Sequence, residues 1–350
     1  MAMKKPFQRL SFRKILANFS KFSHIFGLIG FKEDITLKKL NIILLGLLSV
    51  ITLGIFSAQS VKADDLSDQP VMTLGTSLTS DQRQGTINAL SSQINNGSYK
   101  TITVTGDTLV KYLNPSGNSF TSNSGVWSSA LIQKTSSGSG INVKIVDYNG
   151  KNNITTITAD QYRNAAVTAG ISDANIYVTS ATPIDGSGAL AGIYAAYANS
   201  GDSLNQSQVN AAQKEMSVLS GITDANKGTD GYSDKQLNNA VAGIKSDMAQ
   251  KGDNITNNQI TTIVNNNLQK NNLQNIITDN QKTQIINLMI QIKNSGALSN
   301  SNFKEQASKL SSDIMSKAKN IFNNLNTQEN RNFLQRIWDS IVSFFSGLFN

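Results

Sequence analysis

Six times along this chain a Ser or Thr is followed three residues later by Gln, each pair standing just ahead of a run with helical apolar spacing. The pairs are Thr79/Gln82, Thr158/Gln161, Ser203/Gln206, Ser233/Gln236, Thr256/Gln259 and Thr278/Gln281. Such a pair satisfies two backbone N–H groups that the start of a helix leaves without partners, so it marks where a helix begins. Glycines, which accept the left-handed conformation that follows a helix, close these runs at Gly97, Gly170, Gly221, Gly252 and Gly296.

Between residues 98 and 200 the apolar period falls to two. Ile102 and Val104 alternate with Thr101, Thr103 and Thr105; Ile141, Val143 and Ile145 alternate with Asn142 and Lys144; Ile176 and Val178 repeat the pattern before Pro183. The Ser136–Gly140 stretch joins a strand near Val126–Lys134 to one at Ile141–Tyr148, which predicts a hairpin. Helices are expected at about 80–96, 159–169 and 187–199. From 202 onward only amphipathic helices rich in Asn and Gln remain, with Ile285, Leu288, Met289 and Ile292 marking one face. The chain therefore reads as α+β: an N-terminal α+β domain with a small mixed sheet over 70–200, then an all-helical C-terminal domain over 202–325.

Residues 1–63 differ from the rest. They hold ten of the 31 basic residues and two of the 23 acidic ones, so the +8 charge belongs to this leader and the remainder is balanced. Basic residues steer a chain to nucleic acid only where they are clustered and retained, so no nucleic-acid partner is expected. Ile42–Phe56 is apolar apart from Gly46, Ser49, Thr52 and Gly54; Lys38 and Lys39 precede it, and Val61-Lys62-Ala63 follows. A bilayer span needs roughly 20 residues. The short core, basic flank and small-x-Ala site read as a secretory signal peptide over 37–63, cleaved after Ala63 to leave Asp64 as first residue. An uncleaved anchor through 42–56 is the alternative. Translation from Met1 or from a non-ATG codon at Leu37 are both open, since the latter gives an ordinary Met-Lys-Lys-Leu signal opening.

The chain has no cysteine, and its one histidine, His24, lies in the leader. Disulfides, lipid-modified cysteine, Ser-His-Asp and Cys-His nucleophiles, and His- or Cys-liganded zinc are thereby excluded from the mature protein. Its only glutamates are Glu215, Glu305 and Glu329. No catalytic residue, cofactor or metal is assigned.

Four weak patterns are read against plainer roles. Gly186-Ser187-Gly188 opens a helix where free N–H groups could hold an anion, but it lacks a P-loop lysine, and a packing turn is expected. Asp224, Asn226, Asp230 and Asp234 offer oxygens, but Thr229 and Lys235 stand where an EF-hand needs Gly and Glu. Ser301/Lys304 and Ser316/Lys319 have the bare Ser-x-x-Lys spacing with no supporting context. Tyr194 and Tyr197 could face a sugar, but at this spacing they are expected in a core.

A final helix is expected over 327–349. On a helical projection Phe333, Leu334, Ile337, Trp338, Ile341, Val342, Phe344, Phe345, Leu348 and Phe349 fall on one half of its surface. Such a face requires cover, either from the protein's own helices or from a membrane surface or another envelope protein.

Several stretches resemble domain-of-unknown-function family 1002, the YpuA-like secreted proteins of Gram-positive bacteria. They include Thr73-Leu74-Gly75, Leu78-Thr79-x-x-Gln82-Arg83, Ile102-Thr103-Val104-Thr105 and Gly138-Ser139-Gly140-Ile141. The most specific is Tyr162-x-Asn164-Ala165-Ala166-x-x-Ala169-Gly170-Ile171, leading through Ile176-Tyr177-Val178 and Pro183 to Gly186-x-x-Ala189-Leu190-x-Gly192-Ile193-Tyr194. The resemblance implies export and an α+β-then-helical layout, and it brings no catalytic residue. The expected function is that of an exported or cell-envelope-associated protein acting by non-enzymatic binding, with a carboxylate-dependent hydrolase of envelope glycans as the alternative.

Overall fold

A computed structural model describes residues 69–94, 97–200 and 204–317. In chain order its elements are β1 (Val71–Gly75), α1 (Ser80–Ser91), β2 (Lys100–Val104), α2 (Gly106–Leu113), β3 (Ser128–Lys134), β4 (Ile141–Ile145), α3 (Ala159–Thr168), β5 (Ala174–Ser180) and α4 (Ser187–Asn199). Five more helices follow: α5 (Gln206–Asn226), α6 (Asp234–Lys251), α7 (Asn257–Lys270), α8 (Asp279–Asn294) and α9 (Ser301–Lys317). The fold is α+β, with a mixed sheet in the N-terminal part and helices alone after it.

The strand order is β2-β1-β3-β5-β4. β1 runs parallel to β2 and antiparallel to β3; β5 runs antiparallel to β3 and parallel to β4. The expected hairpin between the strands at 126–134 and 141–148 does not form, because β5 lies between β3 and β4. The reason is burial. β5 hides most of both faces, whereas β4 alternates buried with exposed residues and suits a sheet edge. The glycine-rich connector is held at the start of β5 by the Gly140 N–H donating to Asp173 Oδ1 at 2.8 Å.

One sheet face, with Met72, Leu74 and Leu131, packs beneath Leu90 and Ile94. The other, with Val71, Ala130, Ile132, Ile176 and Val178, joins an apolar cluster that continues through the helices to Ile314. This second face and the helices thus share one core.

Four of the six sequence pairs form full capping boxes, at Thr79, Thr158, Thr256 and Thr278. Ser233 caps α6, but Gln236 does not return to it; its amide donates to the Asn271 carbonyl at 2.9 Å. Ser203 lies outside the described residues, and Asn205 caps α5. Gly170, Gly252 and Gly296 have positive φ at helix ends. Gly221 instead lies inside α5, which runs on to Asn226, and α1 stops at Ser91, short of Gly97.

Candidate functional site

The most unusual chemistry of the described residues lies inside the core, where α3, α4, α5 and α6 meet. Glu215 of α5 and Lys245 of α6 are both fully buried, with Lys245 Nζ 2.9 Å from Glu215 Oε1. Lys245 Nζ also donates to the Asn164 carbonyl at 2.9 Å and approaches Thr168 Oγ1 at 3.3 Å. The Thr168 hydroxyl donates to Glu215 Oε2 at 2.5 Å. Tyr194 of α4 is buried with its hydroxyl unpartnered, and burial first, then the charge of Glu215, holds that phenol far above its ordinary range. Burial pushes the Lys245 ammonium down, against the opposing pull of Glu215. Helix periodicity explains the placement. Leu237, Val241, Ile244 and Met248 bury one face of α6, and Lys245 lies beside Ile244 on that face.

A second polar cluster surrounds the start of α6. Asp234 accepts from the hydroxyls of Thr158 at 2.8 Å and Thr223 at 3.0 Å. Burial nevertheless raises its carboxyl above the ordinary value, with the nearby Asp160 adding to the effect. Arg163, buried on α3, donates to the Ile141 carbonyl at 2.8 Å, to Asp160 at 3.3 Å and to Asp313 of α9 at 2.7 Å.

The surface offers a groove of about 410 Å³ between α5 and α8, lined by Lys214, Ser217, Val218, Gly221, Gln284, Asn287, Leu288 and Gln291. Its polar lining is three carboxamides, a hydroxyl and one ammonium, with Val218 and Leu288 supplying apolar surface. Gly221 contributes no side chain, and nothing lies within 4 Å of where a Cβ would be.

The family model described as "Protein of unknown function (DUF1002)" matches residues 74–310, from the end of β1 into α9. The chain belongs to the DUF1002 family. A relative within reach is the "Uncharacterized protein YpuA" of Bacillus subtilis (strain 168), 28% identical over 316 residues, covering 86% of this chain and 98% of the relative. No solved structure matches. The DUF1002 match contains the buried Lys245–Glu215 cluster, the Arg163 contacts to Ile141 and Asp160, and the whole groove lining.

The weak sequence patterns of this DUF1002 chain resolve into structural roles. At Gly186-Ser187-Gly188 the N–H of Ser187 is taken by Asp185 at 3.1 Å and that of Ala189 by the Ser128 hydroxyl at 2.9 Å. The anion there is the protein's own aspartate. Asp224 pairs with Lys227 at 2.8 Å, Asn226 bonds the Ile222 carbonyl, and Asp234 is committed to threonines. Among the described residues no group of three His, Cys, Asp or Glu side chains is placed to hold a metal. Ser301 is exposed, Ser316 bonds the Asp313 carbonyl, and Lys319 lies outside the described residues. Tyr194 and Tyr197 are core residues; Tyr194 packs at 6.1 Å from Tyr112, and the Tyr197 hydroxyl bonds the Ser172 carbonyl. The apolar leader segment 42–56 and the ten residues of the 327–349 face also lie outside the described residues. Among the described residues no helix is long and apolar enough to cross a membrane.

Proposed function

We propose that this DUF1002 protein is exported or associated with the cell envelope, and acts by binding and not by catalysis. The observation that carries the reading is the α5–α8 groove, whose lining offers Gln284, Asn287, Gln291, Ser217 and Lys214 without a carboxylate. Carboxamides present a donor and an acceptor each, which suits a hydroxyl- or amide-bearing envelope polymer and not an acid–base reaction. The leader supports export through its short apolar core and Ala63 site. The apolar face of 327–349 supports a further contact with a membrane surface or another envelope protein. No nucleic-acid partner belongs to this reading.

The test is retention of the chain from Asp64 onward by purified envelope fractions, beside a Gly221→Trp variant. A Cβ at Gly221 meets nothing within 4 Å, and a tryptophan at this lining position is expected to occlude the groove. Retention by the wild type and its loss in the variant are expected. Equal retention removes the groove from the reading, and no retention removes binding. Release of reducing ends from wall glycan would favour the carboxylate-dependent hydrolase instead.

A further inference from the structure

Lys245 and Glu215 place a primary amine and a carboxyl in contact, both fully buried, where each charge has lost its hydration. One hydroxyl touches both groups, since Thr168 Oγ1 is 3.3 Å from Lys245 Nζ and 2.5 Å from Glu215 Oε2. We propose that Lys245 and Glu215 condense to an intramolecular isopeptide bond that staples α6 to α5, with Thr168 relaying the proton.

The step begins with a proton passing from the ammonium through the Thr168 hydroxyl to Glu215 Oε2, which yields the neutral pair that a dry site favours. Burial already holds Lys245 below its ordinary range, the direction this transfer requires. Nζ then attacks Glu215 Cδ and the Nζ–Cδ bond forms. The Thr168 hydroxyl accepts a proton from Nζ and passes its own to Oε2. The Cδ–Oε2 bond breaks and water leaves. One amine and one carboxylic acid become one secondary amide and one water, so nothing is oxidised or reduced and no co-reactant is needed. The fold supplies the contact that a bimolecular condensation lacks. The product removes two buried charges, and its single N–H keeps the Asn164 carbonyl that Nζ reaches at 2.9 Å. A chain without cysteine has no disulfide to serve the same purpose.

The test is intact mass of the full chain under denaturing conditions, followed by a tryptic map. A bond to Glu215 lowers the mass by one water and blocks cleavage after Lys245, so residues 215–227 are recovered joined to residues 236–251. Thr168→Val should slow the appearance of the joined peptide after synthesis, and Lys245→Met should abolish the mass loss. An unreduced mass, with 215–227 and 236–245 recovered as separate peptides, overturns the proposal and leaves an ion pair. Loss of one ammonia, with Lys245 joined to the peptide carrying Asn164, overturns the assignment of Glu215 as electrophile. Loss of water located elsewhere in the map, with 215–227 unjoined, overturns it equally.

Discussion

Replacing Arg163 with Met should weaken the whole structure, because one guanidinium holds α3 to β4 and to α9. Its three contacts have unequal value. The bond to the Ile141 carbonyl is buried and charge-assisted, of a class contributing about 1.5–3 kcal/mol. Asp160 is 14% exposed and keeps only Lys235 at 3.6 Å once Arg163 is gone, so it retains a longer contact in place of two. Asp313 is 41% exposed and can rehydrate, which places its pair in the surface class of about 0–1 kcal/mol. The sum is a loss of about 3 kcal/mol, at the lower edge of what breaking a buried charge pair costs. Urea unfolding with an m-value of about 3 kcal/mol/M should show the midpoint falling by about 1 M. In a double-mutant cycle, Asp313→Asn should couple to Arg163→Met by less than about 1 kcal/mol, because the main anchor is the backbone carbonyl of β4. A midpoint shift of under about 0.3 M, corresponding to less than 1 kcal/mol at that m-value, would refute the reasoning, as would coupling that accounts for most of the loss.

Gly192→Ala should lower stability by about 1–3 kcal/mol, since the added methyl would overlap Thr73 Oγ1 and press on Val104 across the sheet; a melting temperature within a degree of wild type would contradict this. Asp234 binds its proton more tightly folded than unfolded, so its contribution to stability is full below the ordinary carboxyl value and is lost as pH rises through the raised folded value. The stability of Asp234→Asn relative to wild type should therefore improve as pH rises from 3 to 7, and a decline in unfolding experiments over that range would reverse the sign. Liposome flotation with and without residues 327–350 tests the C-terminal face, with loss of flotation on truncation expected and equal behaviour counting against a membrane contact. Its small charge predicts little effect of salt on that flotation.

Features legible in the sequence were those settled within a few residues. Thr79, Thr158, Thr256 and Thr278 cap their helices through contacts three residues long, and their spacing alone locates them. Gln236 has the same spacing from Ser233, yet is drawn away by Asn271, 35 residues on. β1 escaped the period-two reading because all five of its residues are buried, and a strand covered on both faces does not alternate. α2 escaped because Thr108 takes the place of Gln in its capping box. The pairing of β3 with β5 depends on which strand buries both faces, a tertiary property. Lys245 stands beside an apolar stripe, where a lysine ordinarily extends its amine to water, and only the arrival of Glu215 from another helix distinguishes it. Gly221 has the appearance of a helix stop and instead lies inside α5, where it lines the groove without a side chain.

α9 closes the described fold by reaching back to its first half. Lys309 bonds the Gly138 carbonyl across 171 residues, Arg163 meets Asp313 across 150, and Gln306 meets Asp173 across 133. Contacts at such separations form late, since the entropy of the intervening loop has to be lost first. The edge at β4 and α3 stays without this cover until Gln306, Lys309 and Asp313 have joined the fold. The sequence order of these contacts thus itself delays the last step of closure.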